Sequence, residues 1–322
     1  METPAGKETK PGRGESWALG SVVGYASANI FDRVAVAHAD PLIALIGPVL
    51  RGLPSLLLGI FLVWKNRTLG QVRPGSAQYV GRRAVLSFVG AGALSTLGLF
   101  AYYFAVETGG VIITTPVQET YVIWGTLIAW FFLHERFHGF VLLGVGLIFL
   151  GLVSLSLGEL RGAISPHWYW AIPLALFTAL TYGVSGVLWR DGQLRGAHQS
   201  TAILLQFTTS VAVGLAGLAA MGRLGLLVTT PRRAVLALLV SGVLSGVIAI
   251  YCIFTALRLM EVARVYAFTS LTPIMATLSA HFFLGEYLNL MMLAGVVLIS
   301  VGVTLTQTFK GRSQESEVRI QK

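Results

Sequence analysis

The chain has 322 residues, of which 55% are hydrophobic and only 11% are charged, whereas about 25% of the residues of an average soluble domain are charged. So little charge cannot cover the surface of a soluble protein of this length, and the composition predicts an integral membrane protein. The net charge of +9 lies mainly in short connections, so we interpret it as an orientation signal and not as a nucleic-acid signature. The single cysteine, Cys252, excludes an intrachain disulfide and a cysteine-based metal cluster.

Ten apolar segments of near-spanning length predict an all-α fold with ten transmembrane helices. Residues 1–16 are polar and rich in Pro and Gly, and residues 310–322 are polar, so both are expected to be tails, the first of them disordered. The joins are short and rich in Arg, Gly, Pro or Glu. The predicted segments are Trp17–Ala37, Leu42–Trp64, Ala84–Val106, Val111–Leu133, Phe140–Leu157, Trp168–Trp189, Thr201–Met221, Val235–Leu257, Val262–Leu284 and Leu290–Phe309.

Positive charge predicts the orientation of these segments. Lys and Arg are roughly four times as numerous in the connections on the side of the termini as on the opposite side, which predicts that both termini are cytoplasmic. Arg33, Arg51 and Arg264 fall inside segments and are left out of this comparison. The expected location is the cytoplasmic membrane.

An internal repeat appears when the sequence is shifted against itself by 151 residues. It divides the chain into two halves, 17–158 and 166–309, of five segments each. Because five is odd, the second half is inverted relative to the first, an arrangement typical of secondary transporters. The coinciding residues are Glu135 with Glu286, Gly144 with Gly295, and Gly151 with Gly302.

The second half carries a recognisable order of residues: Leu-Thr-Pro at 271–273, Glu286 in LGEYL, then Gly295 and Gly302. This order resembles the signature of the EamA-like branch of the drug/metabolite transporter superfamily. The resemblance implies a ten-helix inverted-repeat carrier that works by alternating access and often exports small metabolites or amino acids.

The first half departs from this pattern at one proline. Val122 stands at the position equivalent to Pro273, and Pro116 lies six residues earlier. The break in the fourth segment is therefore expected nearer the outer surface than its mate in the ninth. Both prolines would loosen their helices and so assist movement.

Glu119, next to Gln118, lies near the middle of the fourth segment. A carboxylate at that depth costs roughly 2.5–3.5 kcal/mol, so it predicts a polar path or pocket beside it. Glu119 would exchange a proton or pair with a cationic group; the alternative is a static structural ion pair. Its repeat mate is Ser270, so the acid is present in only one half.

Asp32 and Arg33 form a charged pair inside the first segment. The predicted depths of Arg33 and Glu119 differ by about 6 Å, within reach of an arginine side chain. One hypothesis is that Arg33 bridges to Glu119 in one state of the transport cycle. The alternative is that Asp32 neutralises Arg33 directly.

Several amphipathic side chains are candidates for the wall of a solute cavity, because an aromatic ring with one polar atom suits an organic solute. Tyr102 and Tyr103 approach a helix end, so for them anchoring at the membrane interface is the preferred interpretation. The remaining candidates are Tyr25, Asn29, Trp124, Tyr266, Thr269 and Ser270.

Glu135 and Glu286 begin equivalent connections and are expected to cap the N-terminus of the next helix. Glu135 also belongs to a literal H-E-x-x-H with His134 and His138, the zinc-protease pattern. The motif lies at a predicted helix turn and the repeat mate lacks both histidines, so a membrane-embedded enzyme is the less favoured alternative. Gly242 and Gly246 predict close helix contact.

The sequence therefore predicts a secondary transporter of a small organic solute, of metabolite or amino-acid type and exporting, with proton coupling through Glu119. A passive facilitator is the alternative. No metal or cofactor is expected. The expected partners are the solute, the lipid bilayer and protons, with a homodimer as an open question and no nucleic acid.

Overall fold

A computed structural model describes residues 13–37, 43–121, 123–125, 127–128, 139–159, 167–259, 265 and 268–320. All regular structure in these ranges is helical. A π-helical stretch, Leu244–Ala249, joins α8 to α9, and short 3₁₀ turns lie at Leu69–Gln71 and Trp168–Trp170. The helices are α1 Arg13–Ala37, α2 Ile43–Asn66, α3 Arg82–Gln118, α4 Gly139–Glu159, α5 Ala171–Leu194, α6 Gln199–Ala220, α7 Leu226–Thr229, α8 Arg232–Val243, α9 Ile250–Leu259, α10 Thr272–Leu284 and α11 Leu290–Ile320.

Five helical stretches within the described ranges are long and apolar enough to cross a membrane. These agree with a multi-pass membrane protein, and three shorter apolar helices accompany them, while the total of ten spans stays a prediction. The five are Leu45–Asn66, Arg82–Gly125, Trp168–Leu194, Gln199–Ala220 and Arg232–Ile253; the shorter three are Leu142–Leu155, Thr272–Leu284 and Leu290–Thr306. The first helix begins at Arg13 and the last ends at Ile320, both beyond the predicted segment ends.

The third and fourth predicted segments are joined without a loop. α3 runs through the third segment into the first part of the fourth and changes direction at Gly110, whose φ of 72° and ψ of −177° are non-helical. Glycine adopts this conformation without the steric penalty that other residues incur. A new helical run therefore starts at Val111.

This run breaks at Glu119 and Thr120. The Thr120 N–H donates to the Val117 carbonyl oxygen at 3.2 Å, and the Leu271 N–H donates to that of Phe268 at 3.0 Å. The two bonds are 151 residues apart, so the breaks lie at equivalent positions of the repeat. Because equivalent positions of an inverted repeat lie at mirrored depths, the expectation that the first break lies nearer the outer surface stays a prediction.

The prolines do not set the positions of these breaks. Pro273 stands at the start of α10, where its missing N–H costs no hydrogen bond, so it begins the helix after the break. Pro116 instead lies inside the helical run before its break. In the first half the hydroxyl of Thr120 donates to the Val117 carbonyl oxygen at 2.7 Å and helps to end the helix.

The signature glycines bring α4 and α11 into backbone contact. A Cβ on Gly144 would lie 2.7 Å from the carbonyl oxygen of Gly302, and a Cβ on Gly151 would lie 2.6 Å from that of Gly295. The earlier residue of one helix meets the later residue of the other, so the two helices are antiparallel. Small residues permit this approach where lipid provides no hydrophobic driving force.

Candidate functional site

A cavity of about 780 Å³ lies between α1, α2, α3, α5, α6 and the π-helical stretch. Its wall combines aromatic rings with neutral polar groups, as is usual for small-molecule sites. Arg51 is the only charged residue in the wall that the structure describes. The aromatic residues of the wall are Tyr25, Tyr121, Tyr182, Trp189 and Phe207.

The cavity runs from the α5–α6 turn to about the middle of the bundle. Gln193 and Gln199, at that turn, line one end, and Arg51 lines the deep part. A Cβ on Gly52, the neighbour of Arg51, would lie 3.1 Å from the side chain of Val211. Val211 is about 18 Å along α6 from Gln199 at the helical rise per residue. A bilayer core is about 30 Å thick, so Arg51 lies near its midplane.

The Arg51 guanidinium is held by contacts from several elements. Nη1 donates to Asp32 Oδ2 at 2.6 Å and Nε donates to Ser245 Oγ at 3.2 Å. The Arg51 side chain is 18% exposed, whereas that of Asp32 is 0% exposed. The hydroxyl of Tyr103 donates to Asp32 Oδ1 at 3.1 Å. The Asp32 carboxylate is therefore shielded from the cavity, and the Arg51 guanidinium is the charged group that a solute can contact.

Two glycines allow α2 to approach α8 and the π-helical stretch. A Cβ on Gly242 would collide with the carbonyl oxygen of Arg51, and one on Gly246 would collide with the hydroxyl of Ser55. The predicted close helix contact at these glycines is confirmed. The π-helical turn at this point carries Ser245 against Arg51, and π-helical turns are frequent at functional sites.

The polar network extends from the cavity to the broken helix. The Arg51 guanidinium lies 5.9 Å from the ring centroid of Tyr102. The Tyr102 hydroxyl donates to Asn29 Oδ1 at 3.0 Å, and Asn29 Nδ2 donates to Thr115 Oγ1 at 3.3 Å. Both Tyr102 and Tyr103 are fully buried, so their interpretation as interface anchors is wrong. Their hydroxyl groups have partners inside the bundle, which makes burial favourable.

Glu119 lies at the break of the helical run, half-buried beside Gln118, which is also half-buried. It is within electrostatic range of the hydroxyl groups of Tyr25 and Tyr182, both in the cavity wall. None of the ion pairs within the described ranges includes Glu119. A static ion pair with a described residue is therefore not its role in this conformation.

Arg33 forms a second network with Glu286. Arg33 Nε lies 3.3 Å from Glu286 Oε1, and Nη1 donates to the carbonyl oxygens of Val106 and Glu107 at 2.9 and 3.2 Å. The pairing of Arg33 with Glu119 is therefore wrong for this conformation. Direct neutralisation of Arg33 by Asp32 is wrong as well, since Asp32 pairs with Arg51.

Glu286 caps a helix of the opposite half of the chain. Its carboxylate accepts from the N–H groups of Val111, at 3.0 and 3.1 Å, and Ile112, at 3.0 Å. The prediction that Glu286 caps the next helix is wrong, because its carboxylate caps the helical run that starts at Val111 instead. The kink at Gly110 frees the N–H groups that follow it, and the Glu286 carboxylate from the other half of the chain accepts their hydrogen bonds.

The other predicted site residues lie away from the described cavity wall or outside the described ranges. The Cβ atom of Trp124 lies 2.7 Å from where a Cβ on Gly183 would lie. Thr269 accepts a hydrogen bond from the Thr272 hydroxyl at 2.6 Å, and Ser270 hydrogen-bonds with Thr304. Tyr266, Glu135 and the H-E-x-x-H histidines fall outside the described residues. Within the ranges described, no group of three or more His, Cys, Asp or Glu could hold a metal ion.

Arg51 is the main residue that the sequence analysis missed. It is absent from the predicted site residues, although the cost of a charge inside an apolar segment singles out Arg51 as much as Glu119. A charged residue in an apolar segment with two prolines was the available signal.

The sequence model of the EamA-like transporter family matches this chain twice, over residues 12–157 and 169–308. The chain belongs to the EamA-like transporter family. It is therefore a membrane transporter, and its family points away from an enzyme. A relative from Sinorhizobium sp, named as an uncharacterized transporter in the cobO 3′ region, is 33% identical over 147 residues, which are 45% of this chain and 100% of the relative.

The fold of this EamA-like protein is also similar to a known structure. A solved crystal structure matches with a TM-score of 0.58 and 15% identity, over 93% of this chain and 98% of that chain. At this identity the likeness supports the fold alone.

Proposed function

We propose that this protein is a secondary transporter that moves a small organic solute across the cytoplasmic membrane by alternating access. The observation that carries the proposal is the cavity, which ends near the midplane at Arg51. Beyond it the bundle is closed by buried side chains, among them Ile46, Val49, Tyr103 and Ile112. A binding site reached from one side only is what alternating access requires.

The contact between Arg33 and Glu286 lies at the closed end. A Cβ on Gly109 would touch Ala171, the first residue of α5, whereas Gln193 at the cavity mouth lies about 33 Å further along the same helix. With both termini cytoplasmic, as the positive charges predict, the mouth faces the cytoplasm. The conformation is then an inward-facing state, and Arg33 and Glu286 belong to the outer gate.

The solute is of metabolite or amino-acid type, it is exported, and Glu119 couples its movement to protons. The size of the cavity supports an organic solute, because small-molecule sites typically enclose about 300–1,000 Å³. Proton exchange at Glu119 is supported by its position at the helix break, by the lack of an ion-pair partner among the described residues, and by its proximity to the cavity wall. The break itself allows the two parts of the helix to move separately.

Solute uptake driven by a pH gradient tests this function. Candidate solutes are first found by thermal shift of the purified protein, and their accumulation in proteoliposomes is then measured with and without a pH gradient. Uphill accumulation that follows the gradient is expected in the wild type and in the control Glu15→Gln, which alters a carboxylate of the first turn of α1. Glu119→Gln is expected to abolish the response. Accumulation that never exceeds equilibrium would identify a passive facilitator instead.

A further inference from the structure

The charge distribution of the cavity indicates which chemical class of solute it receives. Arg51 is the only charged group in the described wall, and its counter-ion Asp32 is inaccessible. An accessible arginine in a low-dielectric site attracts an anionic group. A cationic solute would find the Asp32 carboxylate covered by the guanidinium.

The Arg51 guanidinium is fixed before any solute enters. Ser245 Oγ donates its own hydrogen to the Ser241 carbonyl oxygen at 2.7 Å, so it acts as an acceptor for Arg51 Nε. Asp32 fixes Nη1, and the Tyr102 ring lies beside the group. A planar guanidinium held in this way matches the two oxygens of a carboxylate better than a flexible lysine would.

The rest of the cavity wall determines which kind of solute body, attached to the carboxylate, fits the cavity. The rings of Tyr25, Tyr182, Trp189 and Phe207 offer apolar surface, and Gln206 and Ser210 add neutral polar groups. Because Arg51 is the only cation of the described cavity wall and is already paired with Asp32, one monovalent anionic group suits this wall better than a doubly charged phosphate.

We propose that Arg51 is the anchor for the carboxylate of the transported solute, whose remaining body is apolar or aromatic, with Asp32 as the residue that positions Arg51. This inference rests on the proposed transport function and names its substrate class. Asp32 holds Arg51 in the empty cavity, and the incoming carboxylate binds the accessible edge of the same guanidinium.

The test compares two probes that differ only in charge, 4-phenylbutyrate and 4-phenylbutyramide, by calorimetric titration of the purified full-length protein in detergent. The carboxylate is expected to bind about 10- to 100-fold more tightly, the factor typical of hydrogen bonds to a charged group. Arg51→Gln alone would leave Asp32 buried without a partner, so the informative variant is Asp32→Asn with Arg51→Gln. It is expected to fold and to bind both probes equally.

Arg195→Gln is the matched control, because Arg195 lies outside the described cavity wall and its ion pair with Asp191 is exposed; it should preserve the ratio of the two affinities. Equal affinity of the wild type for both probes, or no measurable binding of either, would overturn the anchor, as would a carboxylate preference that survives in the double variant. The two proposals fail separately. Solute flux through a cavity indifferent to the carboxylate contradicts the anchor alone, whereas carboxylate preference without flux contradicts transport alone.

Discussion

The carboxylate of Glu286 occupies the space that a side chain on Gly110 would need. A Cβ on Gly110 would lie 2.7 Å from Glu286 Oε1, and the same oxygen accepts from the N–H of Val111 at 3.1 Å. Gly110 also has a φ of 72°, which disfavours any residue with a Cβ. The contact between Glu286 in the second half and the kink in the first half therefore requires a glycine at position 110, both for the backbone conformation and for the space that the carboxylate occupies.

Gly110→Ala should destabilise the protein by more than the backbone strain of a positive φ alone, because the new Cβ would also collide with the Glu286 carboxylate. The positive φ with a ψ near 180° costs about 1–3 kcal/mol, and the collision with the carboxylate adds about 1–3 kcal/mol. Gly222→Ala is the matched control, because Gly222 has a φ of 65° and open space around it. The measurement is thermal unfolding in detergent, and equal losses for the two variants would contradict the contact with Glu286.

Arg33→Gln and Glu286→Gln should each favour opening of the end where these residues meet. Loss of a buried charged hydrogen bond costs about 1–2 kcal/mol, which corresponds to a roughly 5- to 30-fold change in a two-state population. The change is measured as the labelling rate of Thr108→Cys by a membrane-impermeant maleimide in a Cys252→Ala background. Faster labelling is expected in both variants.

Two controls accompany that measurement. Arg195→Gln removes an exposed ion pair with Asp191 at the opposite end of α5 and should leave labelling unchanged. The charge swap Arg33→Glu with Glu286→Arg should fail to restore the closed state, because an arginine cannot accept hydrogen bonds from Val111 and Ile112. Full restoration by the swap would mean that capping is unimportant.

Gly144→Ala and Gly146→Ala should differ although they are two positions apart on α4. A Cβ on Gly144 meets the backbone of α11, which costs about 1–3 kcal/mol, whereas nothing lies within 4 Å of a Cβ on Gly146. Thermal unfolding should show a lower midpoint for Gly144→Ala only. Similar midpoints for both variants would argue against backbone contact between α4 and α11.

The pH response of transport should depend on Glu119 and not on Arg33. Arg33 contacts Glu286 in this structure, so Arg33→Gln is expected to change the rate of solute uptake while retaining its dependence on a pH step. Glu119→Gln is expected to lose that dependence. A flattened response in Arg33→Gln would revive the pairing of Arg33 with Glu119 in another state of the cycle.

Sequence reasoning predicted the features that depend on spacing along one helix. The helical membrane class, the repeat offset and the close contact at Gly242 follow from apolar length and small-residue periodicity. It failed where contacts join distant helices. Asp32 and Arg33 are adjacent in sequence, yet Asp32 pairs with Arg51 and Arg33 pairs with Glu286. Spacing along one helix cannot predict partners that lie on other helices. Pro116 was also a misleading guide to the first helix break, because the break lies at Glu119 and Thr120 and Pro116 is inside the helical run before it.

The antiparallel seam between α4 and α11 has a consequence for what duplication allows. Two identical chains of one repeat each could form the same antiparallel helix contact in a two-fold symmetric dimer. Every residue would then occur twice, once on each side of the solute. A fused chain escapes that constraint. Glu119 can be an acid while Ser270, its counterpart at the other break, remains an alcohol, so a single ionisable group, in place of a facing pair that would repel, can serve one passage.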